Sequence, residues 1–186
     1  MEFHLNEIFH IYNRGNNQQK IFFKPDNYLY FLKKIRKHIL PHCEILAYCL
    51  MPTHFHLLIH ADKRTVKTKK DTGKEKNVLS DGFKVLLSSY TQAINKQNGT
   101  SGSLFQQNTK ANPIVFGSQD YNIVCMNYIH QNPLKSNLVE KIEDWSYSSF
   151  PDYCNLRNGS LCNKDLAIKL LDLKMETFYE DTYRSI

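Results

Sequence analysis

The sequence predicts an α+β protein with a ferredoxin-like (split βαβ) antiparallel sheet, helices on one face of that sheet, one additional helix and a C-terminal helical extension. Three observations support this prediction. Apolar residues recur at strand spacing and at helical spacing in the order strand, helix, strand, strand, helix, strand. Only two residues separate the two central strands, which indicates a hairpin. A further helical pattern and a helical tail follow the last strand.

The first four elements are predicted between residues 3 and 60. A short alternation of apolar and polar residues predicts a strand over Phe3–Asn13, and apolar residues at helical spacing predict a helix over Asp26–His38. The continuous apolar run Cys43–Met51 predicts a buried strand. A short turn then leads into a second strand over His54–His60, so these two strands are expected to pair as a hairpin.

The remaining elements are predicted beyond residue 77. An apolar stripe predicts a long helix over Val78–Lys96, and Gly102–Phe116 is typical of a loop that leads into an extended segment. A helix is expected over Tyr121–Gln131. We expect it to end at Pro133, because the residue before a proline avoids the helical region. A helical tail is predicted from about Lys164 onward.

The domain organisation and the cellular location follow from what the chain lacks. No internal repeat or proline-rich linker divides it, so we expect one domain over residues 1–150 and an extension over 151–186. A composition that is 41% hydrophobic and 23% charged excludes a disordered protein. The longest apolar run, Ile45–Met51, is too short to span a bilayer, and the first residues lack a signal-peptide pattern. We therefore expect a cytoplasmic protein with no membrane association.

The positive charge of the chain indicates a polyanionic partner. The formal net charge is +6 at pH 7, and the isoelectric point is about 9.0. Much of the excess lies in the stretch from Ala61 to Asn77, which holds seven basic and three acidic residues. This basic segment fits two interpretations, a solvated linker or a contact for nucleic acid. The second gains weight if a site elsewhere in the chain requires nucleic acid.

Two histidines in the second strand of the hairpin are candidate metal ligands. Side chains two residues apart in a strand point to the same face, so His54 and His56 stand together while Phe55 and Leu57 enter the core. Two imidazoles at about 6.5 to 7 Å between Cα atoms can converge on one metal ion. The alternative interpretation of such a pair is two surface residues on the polar face of a strand.

A tyrosine and an asparagine four residues apart form the second candidate feature. Tyr128 and Asn132 lie on one face of the predicted helix, which presents a phenol and an amide oxygen together. Taken alone, the pair more often means a packed ring and a capping amide. With His54 and His56, however, it supplies the parts of a metal-dependent site with a covalent nucleophile. A divalent ion with open coordination positions could activate a phosphodiester for attack by a phenol.

At these residues the chain resembles HUH-type single-tyrosine transposases, in particular the REP-associated tyrosine transposases. Residues 47–59 resemble the signature of histidine, bulky hydrophobe and histidine. Three other stretches agree in order and spacing with that family. They are residues 12–17 (YNRGNN), residues 102–106 (GSLFQ) with Lys110, and residues 128–133 (YIHQNP) followed by residues 138–139 (LV) and 145–149 (WSYSS). The resemblance covers about residues 8 to 150.

The resemblance implies an enzyme that nicks and rejoins single-stranded DNA, at ends that form hairpins. It implies that His54 and His56 are metal ligands and that Asn132 supplies the third ligand, where relatives often have glutamine. It also implies that Tyr128 lies on the catalytic helix and takes the 5′-phosphate of the cleaved strand, which leaves a 3′-hydroxyl. Religation is the reverse attack.

The resemblance further implies a divalent cofactor, Mg²⁺ or Mn²⁺, and leaves both a monomer and a homodimer open. Zinc is an alternative if Cys49 or His60 joins the ligands. Single-stranded DNA is bound by cationic side chains together with aromatic rings, so basic residues near the site are expected to contact phosphates. The candidates are Arg14, Lys110, Lys135, Lys67, Lys69 and Lys70.

Other interpretations remain open from the sequence. Tyr90 and Tyr121 are rival nucleophiles by residue type, although Tyr90 shares an apolar stripe that favours core packing. The protein could be a domesticated relative that binds structured or hairpin DNA without cleaving it. It could also be a zinc-stabilised ferredoxin-like module that binds RNA or protein.

Overall fold

Six strands and six α-helices make up the computed structural model, which describes residues 1–71, 74–114 and 119–184. The strands are β1 (Ile8–Arg14), β2 (Glu44–Met51), β3 (His54–His60), β4 (Thr68–Asp71), β5 (Lys74–Asn77) and β6 (Lys110–Ile114). Four of them form an antiparallel sheet in the order β2-β3-β1-β6, and β4 pairs with β5 in a separate hairpin. This order is the ferredoxin-like arrangement, so the predicted fold class is confirmed.

The helices cover both faces of the four-stranded sheet. They are α1 (Pro25–His38), α2 (Val78–Asn98), α3 (Gln119–Lys135), α4 (Phe150–Tyr153), α5 (Lys164–Leu171) and α6 (Phe178–Arg184). The first two pack on one face, and α3 packs on the opposite face together with the C-terminal helices. No helix in the described ranges is long and apolar enough to cross a bilayer.

The alternation of side chains along β3 separates two hydrophobic cores. Phe55, Leu57 and Ile59 are fully buried beneath α1 and α2, as the strand periodicity predicts. Leu58 faces the other way and joins a second core, to which α3 contributes Met126 and the C-terminal helices contribute further apolar residues. The C-terminal extension is therefore helical as predicted and completes this second core. The division at residue 150 stays a prediction.

Some predicted boundaries were wrong near turns. The first strand begins at Ile8 rather than Phe3, because Asn6 adopts a left-handed conformation with φ of 66° and turns the chain just before the strand. Within Gly102–Phe116, the strand is limited to β6, and residues 115 and 116 lie outside the described ranges. The basic segment was predicted as a loop but contains the β4-β5 hairpin.

The prediction that Pro133 ends the helix carrying Tyr128 was also wrong, because α3 continues to Lys135. A proline inside a helix removes one backbone hydrogen bond and disfavours the helical region for the residue before it. That residue, Asn132, is buried, and its side-chain amide donates to the carbonyl of Tyr128 at 2.7 Å. Burial of Met126 and Ile129 holds the rest of the helix against the sheet, so tertiary packing overrides the local preference.

Candidate active site

Strand pairing places residues from three strands in one row on the face covered by α3. His56 of β3 lies directly opposite Tyr12 of β1, and Tyr12 lies opposite Lys110 of β6. Arg14 of β1 lies opposite His54 in the neighbouring row. Directly paired residues share a face of the sheet, so two imidazoles, one phenol and two cations are presented together.

These residues line a cleft of about 310 Å³ at one end of the sheet. Its walls come from β1, β3, α3 and the loop before β6. The lining residues are Tyr12, Asn13, Arg14, His54, His56, Gln106, Asn108, Lys110 and Tyr128. The structure thus brings together five of the residues predicted for the site. They are Tyr128, His54, His56, Arg14 and Lys110.

Tyr128 stands on α3 with its ring beside the histidines. Its ring centroid is 5.6 Å from that of His56, in an edge-on orientation, and 44% of the residue is exposed to solvent. Asn132, one helical turn later, uses its amide nitrogen to bind the carbonyl of Tyr128. Its side chain also hydrogen-bonds with His54. The helix therefore places the phenol beside His56 and the amide beside His54.

The two histidines differ in burial. His54 is half-buried and its Nδ1 lies 2.9 Å from the hydroxyl of Thr53. His56 is only 4% exposed, so it is not a surface residue of a polar strand face. Its Nδ1 lies 2.9 Å from Nε2 of His10, whereas its Nε2 is buried without a hydrogen-bond partner in the described structure.

Burial keeps these imidazoles neutral. Desolvation lowers the pKa of His54, partly offset by the hydrogen bond with Asn132, and Arg14 lowers it further. Desolvation lowers the pKa of His56 well below 6.5, and the neighbouring His10, His54 and Arg14 act in the same direction. A neutral imidazole has a free lone pair, which is the form that binds a metal ion.

The donor set fits a divalent ion only when the amide is included. No group of three His, Cys, Asp or Glu side chains in the described part of the chain is placed to hold a metal ion. Two imidazoles and the Asn132 oxygen are the available combination. Cys49 lies opposite His56, but burial raises the pKa of its thiol and so disfavours the thiolate that zinc requires. His60 lies at the far end of β3.

The predicted phosphate contacts fall into separate regions. Arg14 and Lys110 are exposed in the cleft, and Lys135 is exposed at the end of α3 but does not line it. Lys67 and Lys69 belong to the basic segment, which follows the opposite end of β3. The side chain of Lys70 lies outside the described part of the structure.

Of the two alternative nucleophiles, Tyr90 and Tyr121, the structure describes the side chain of Tyr90. Tyr90 is fully buried between helix and sheet, and its hydroxyl donates to the carbonyl of Ile21 at 2.8 Å, so it is a core residue as its stripe predicted. The side chain of Tyr121 lies outside the described part of the structure.

Sequence reasoning missed several residues in the cleft and beside it. His10 and Tyr12 share a face of β1 with Arg14 by strand parity, and this alternation was the available signal. Asn13 donates to the carbonyl of Gln106 at 3.1 Å and to the hydroxyl of Thr109 at 3.0 Å. These bonds fasten the loop before β6 to the end of β1. No local pattern predicts them, because the partners are more than 90 residues apart.

A second groove continues from the cleft. It has a volume of about 690 Å³ and runs between α2 and the loop before β6. Gln106 and Asn108 line both cavities, so the two are contiguous. The lining of the groove is mainly uncharged and includes both apolar and polar side chains, with Lys84 as its charged side chain.

A comparison with solved structures finds a similar fold in a REP-associated tyrosine transposase bound to a REP hairpin. The two chains are 19% identical, and the match covers 89% of this chain and 90% of the other with a TM-score of 0.57. The resemblance first visible in four sequence stretches thus extends to the fold. The sequence matches no protein-family model, and no curated protein matches it.

Proposed function

We propose that this protein binds single-stranded DNA beside a hairpin and nicks and rejoins it through a covalent bond to Tyr128. One observation carries the proposal. An exposed phenol, two neutral imidazoles and two exposed cations share one cleft, in a fold similar to that of a hairpin-bound transposase. A cleft with these groups suits a phosphodiester better than an uncharged substrate.

Two histidines of the cleft and the adjoining Asn132 are suited to hold a divalent metal ion. His54, His56 and Asn132 would supply two imidazole nitrogens and one amide oxygen, and the buried, unpartnered Nε2 of His56 is the observation that favours this assignment. When bound there, Mg²⁺ or Mn²⁺ supplies Lewis-acid polarisation of the phosphodiester. Three protein ligands leave positions for the DNA.

In the covalent step, the Tyr128 hydroxyl is the nucleophile. Its oxygen attacks the phosphorus of the DNA and loses its proton to solvent. The bond between phosphorus and the 3′-oxygen breaks, and the departing oxygen takes up a proton to become a 3′-hydroxyl. The 5′-phosphate remains on the tyrosine as an ester, so a 3′-hydroxyl can later attack it and restore the phosphodiester without an external energy source.

Cations of the cleft would position the strand for this attack. Arg14 and Lys110 lie on neighbouring strands at the cleft wall, where they could bind phosphates on either side of the reacting one. The contiguous groove along α2 offers a path for nucleotides that leave the cleft. Lys135, Lys67, Lys69 and Lys70 remain proposed contacts for more distant parts of the DNA.

The test is to trap the covalent intermediate. The purified protein is incubated with Mn²⁺ and oligonucleotides that carry a hairpin with single-stranded flanks, and then denatured. We expect a DNA adduct that resists denaturation and that mass spectrometry locates on the peptide containing Tyr128. A matched oligonucleotide without single-stranded flanks should give no adduct. Binding of the hairpin without any adduct would instead support the DNA-binding alternative and overturn nicking.

A further inference from the structure

His10 is a third histidine beside the candidate site. Its Nε2 lies 2.9 Å from Nδ1 of His56, and the two rings are nearly parallel at 25° with centroids 5.0 Å apart. The centroid of the His10 ring is also 5.0 Å from that of Tyr12 and 6.1 Å from that of Tyr128. The rings of His10, His56 and Tyr128 therefore adjoin one another.

We propose that His10 is a positioning residue that accepts a hydrogen bond from Nδ1–H of His56 and thereby presents Nε2 of His56 as a metal ligand. This inference rests on the proposed function, since it assigns a role within the same site. His10 itself does not touch the DNA or the metal in this proposal.

A neutral imidazole has one N–H and one nitrogen lone pair. Only one of two nitrogens 2.9 Å apart can donate in a given arrangement. If His10 donated, Nε2 of His56 would carry the proton and could not bind a metal ion. If His56 donates, its Nε2 carries the lone pair. That atom is buried and lacks a hydrogen-bond partner among the described residues, as a position kept for a ligand requires.

The position of His10 on β1 accounts for this contact. His10 lies two residues before Tyr12 on β1, and Tyr12 is the direct partner of His56, so the contact joins diagonal neighbours of a paired sheet. A metal-binding histidine commonly donates its other N–H to a fixed acceptor, which sets the tautomer and the orientation of the ring. That acceptor is usually a carboxylate, a carbonyl or water, and here it is a second imidazole.

The tautomer can be read directly on the unmodified protein. Nitrogen–proton correlation spectra of the histidine rings, recorded without metal or DNA at pH 7.5, should place the proton of His56 on Nδ1. A proton on Nε2 of His56 would overturn the inference. This measurement needs no variant, so it remains decisive even if a substitution at His10 prevents folding.

A calorimetric titration with Mn²⁺ tests the consequence. His10→Phe keeps a ring of similar size but removes the acceptor, and we expect about 10- to 100-fold weaker Mn²⁺ binding. His10→Gln retains an acceptor and should recover most of that loss. His60→Phe is the matched control, because the same change is made at the opposite end of β3, and it should bind Mn²⁺ as the wild type does.

Equal Mn²⁺ affinity of wild type and His10→Phe would also overturn the inference. Failure of the proposed function has a different signature, the absence of a Tyr128 adduct. The two failures are distinguishable because the ring spectrum is recorded without DNA and does not depend on cleavage.

Discussion

Basic side chains lie near both ends of β3, but the two ends differ in how many of these side chains form ion pairs. At the cleft end, Arg14 and Lys110 are exposed beside His54, and neither forms an ion pair within the described ranges. At the opposite end, beyond His60, Arg64 binds the carboxylates of Glu44 and Asp62.

In the basic segment, a further ion pair joins Lys69 to Asp81 at 2.6 Å. The part of the sequence richest in charge thus has some of that charge neutralised within the protein, whereas the cleft has fewer cations that remain free. A count of basic residues therefore does not locate a phosphate site. What matters is whether the fold also brings acidic side chains to the same place.

The largest expected effect comes from removing one hydroxyl in the cleft. Tyr128→Phe should fold and bind DNA as the wild type does but should form no adduct, because the nucleophilic oxygen is gone. Tyr90→Phe is the matched change away from the cleft. It removes a buried hydrogen bond to Ile21 and should lower the free energy of unfolding by about 1 kcal/mol while the adduct persists.

Denaturant unfolding and adduct formation, measured on both tyrosine variants, check this pair. An adduct that survives in Tyr128→Phe would show that another residue attacks the phosphate.

Replacement of a proposed ligand should have the next largest effect. His54→Ala is expected to weaken Mn²⁺ binding by about 100-fold or more, since a lost ligand should cost at least as much as a lost outer partner. His54 is half-buried, so its removal disturbs packing less than removal of the nearly inaccessible His56. Asn132→Ala should be milder, because water can replace one oxygen ligand.

Calorimetry with Mn²⁺ compares the two ligand variants with His60→Ala at the other end of the strand. Similar losses in all three proteins would mean that the histidines act through general stability rather than as ligands.

The contribution of charge should differ between the two ends of β3. Arg14→Gln combined with Lys110→Gln should reduce the slope of log affinity against log salt by about 1.4, at about 0.7 per phosphate contact of a single strand. Lys67→Gln combined with Lys69→Gln should change it less, since Asp81 already binds Lys69. Filter binding of a single-stranded oligonucleotide across a range of salt measures both slopes.

Equal slopes for the two double variants would mean that the basic segment and the cleft contact similar numbers of DNA phosphates.

The smallest expected difference concerns the pH dependence of stability. Burial lowers the pKa of His10 from 6.5 to about 4, so folded His10 stays neutral while the unfolded chain takes up a proton below about pH 6.5. The free energy of unfolding therefore falls as the pH decreases from 6.5 to 4, with a slope of up to about 1.4 kcal/mol per pH unit from this group. His10→Phe should remove that part of the slope.

His60→Phe should flatten the slope less, because Asp62 and Glu44 oppose the effect of burial on the pKa of His60. Urea denaturation of the metal-free proteins at pH 7.5, 6 and 5 compares the curves. Parallel curves for wild type and His10→Phe would contradict the expected neutral, buried state of His10.

The sequence predicted the parts of the site whose geometry is local. His54 and His56 share a face because strand side chains alternate, and Tyr128 and Asn132 share a face because four residues are about one helical turn. It could not show that Asn132 also hydrogen-bonds with His54, since that contact joins α3 to β3. The roles of Tyr128 as nucleophile and of the three ligands stay predictions.

Local signals also failed where packing opposed them. Pro133 reads as the end of a helix, yet α3 continues because its apolar face is buried on the sheet. The basic segment reads as a loop, yet it pairs as β4 and β5. At Pro133, contacts with residues distant in the chain outweigh the local preference. In the basic segment, the pairing joins residues close in the chain, and the strand pattern there was missed.

The sequence by itself determined the order of the elements, the inward faces of β3 and the residue types available for chemistry, because the periods of strands and helices are set within a few residues. Only the tertiary structure decided that Tyr12 and Lys110 lie in one row with His56 and that His10 contacts His56, since the pairing of β1 with β3 and β6 connects residues that are far apart in the chain. It also decided which cations are free, because ion pairs such as Arg64 with Glu44 depend on which strand ends meet.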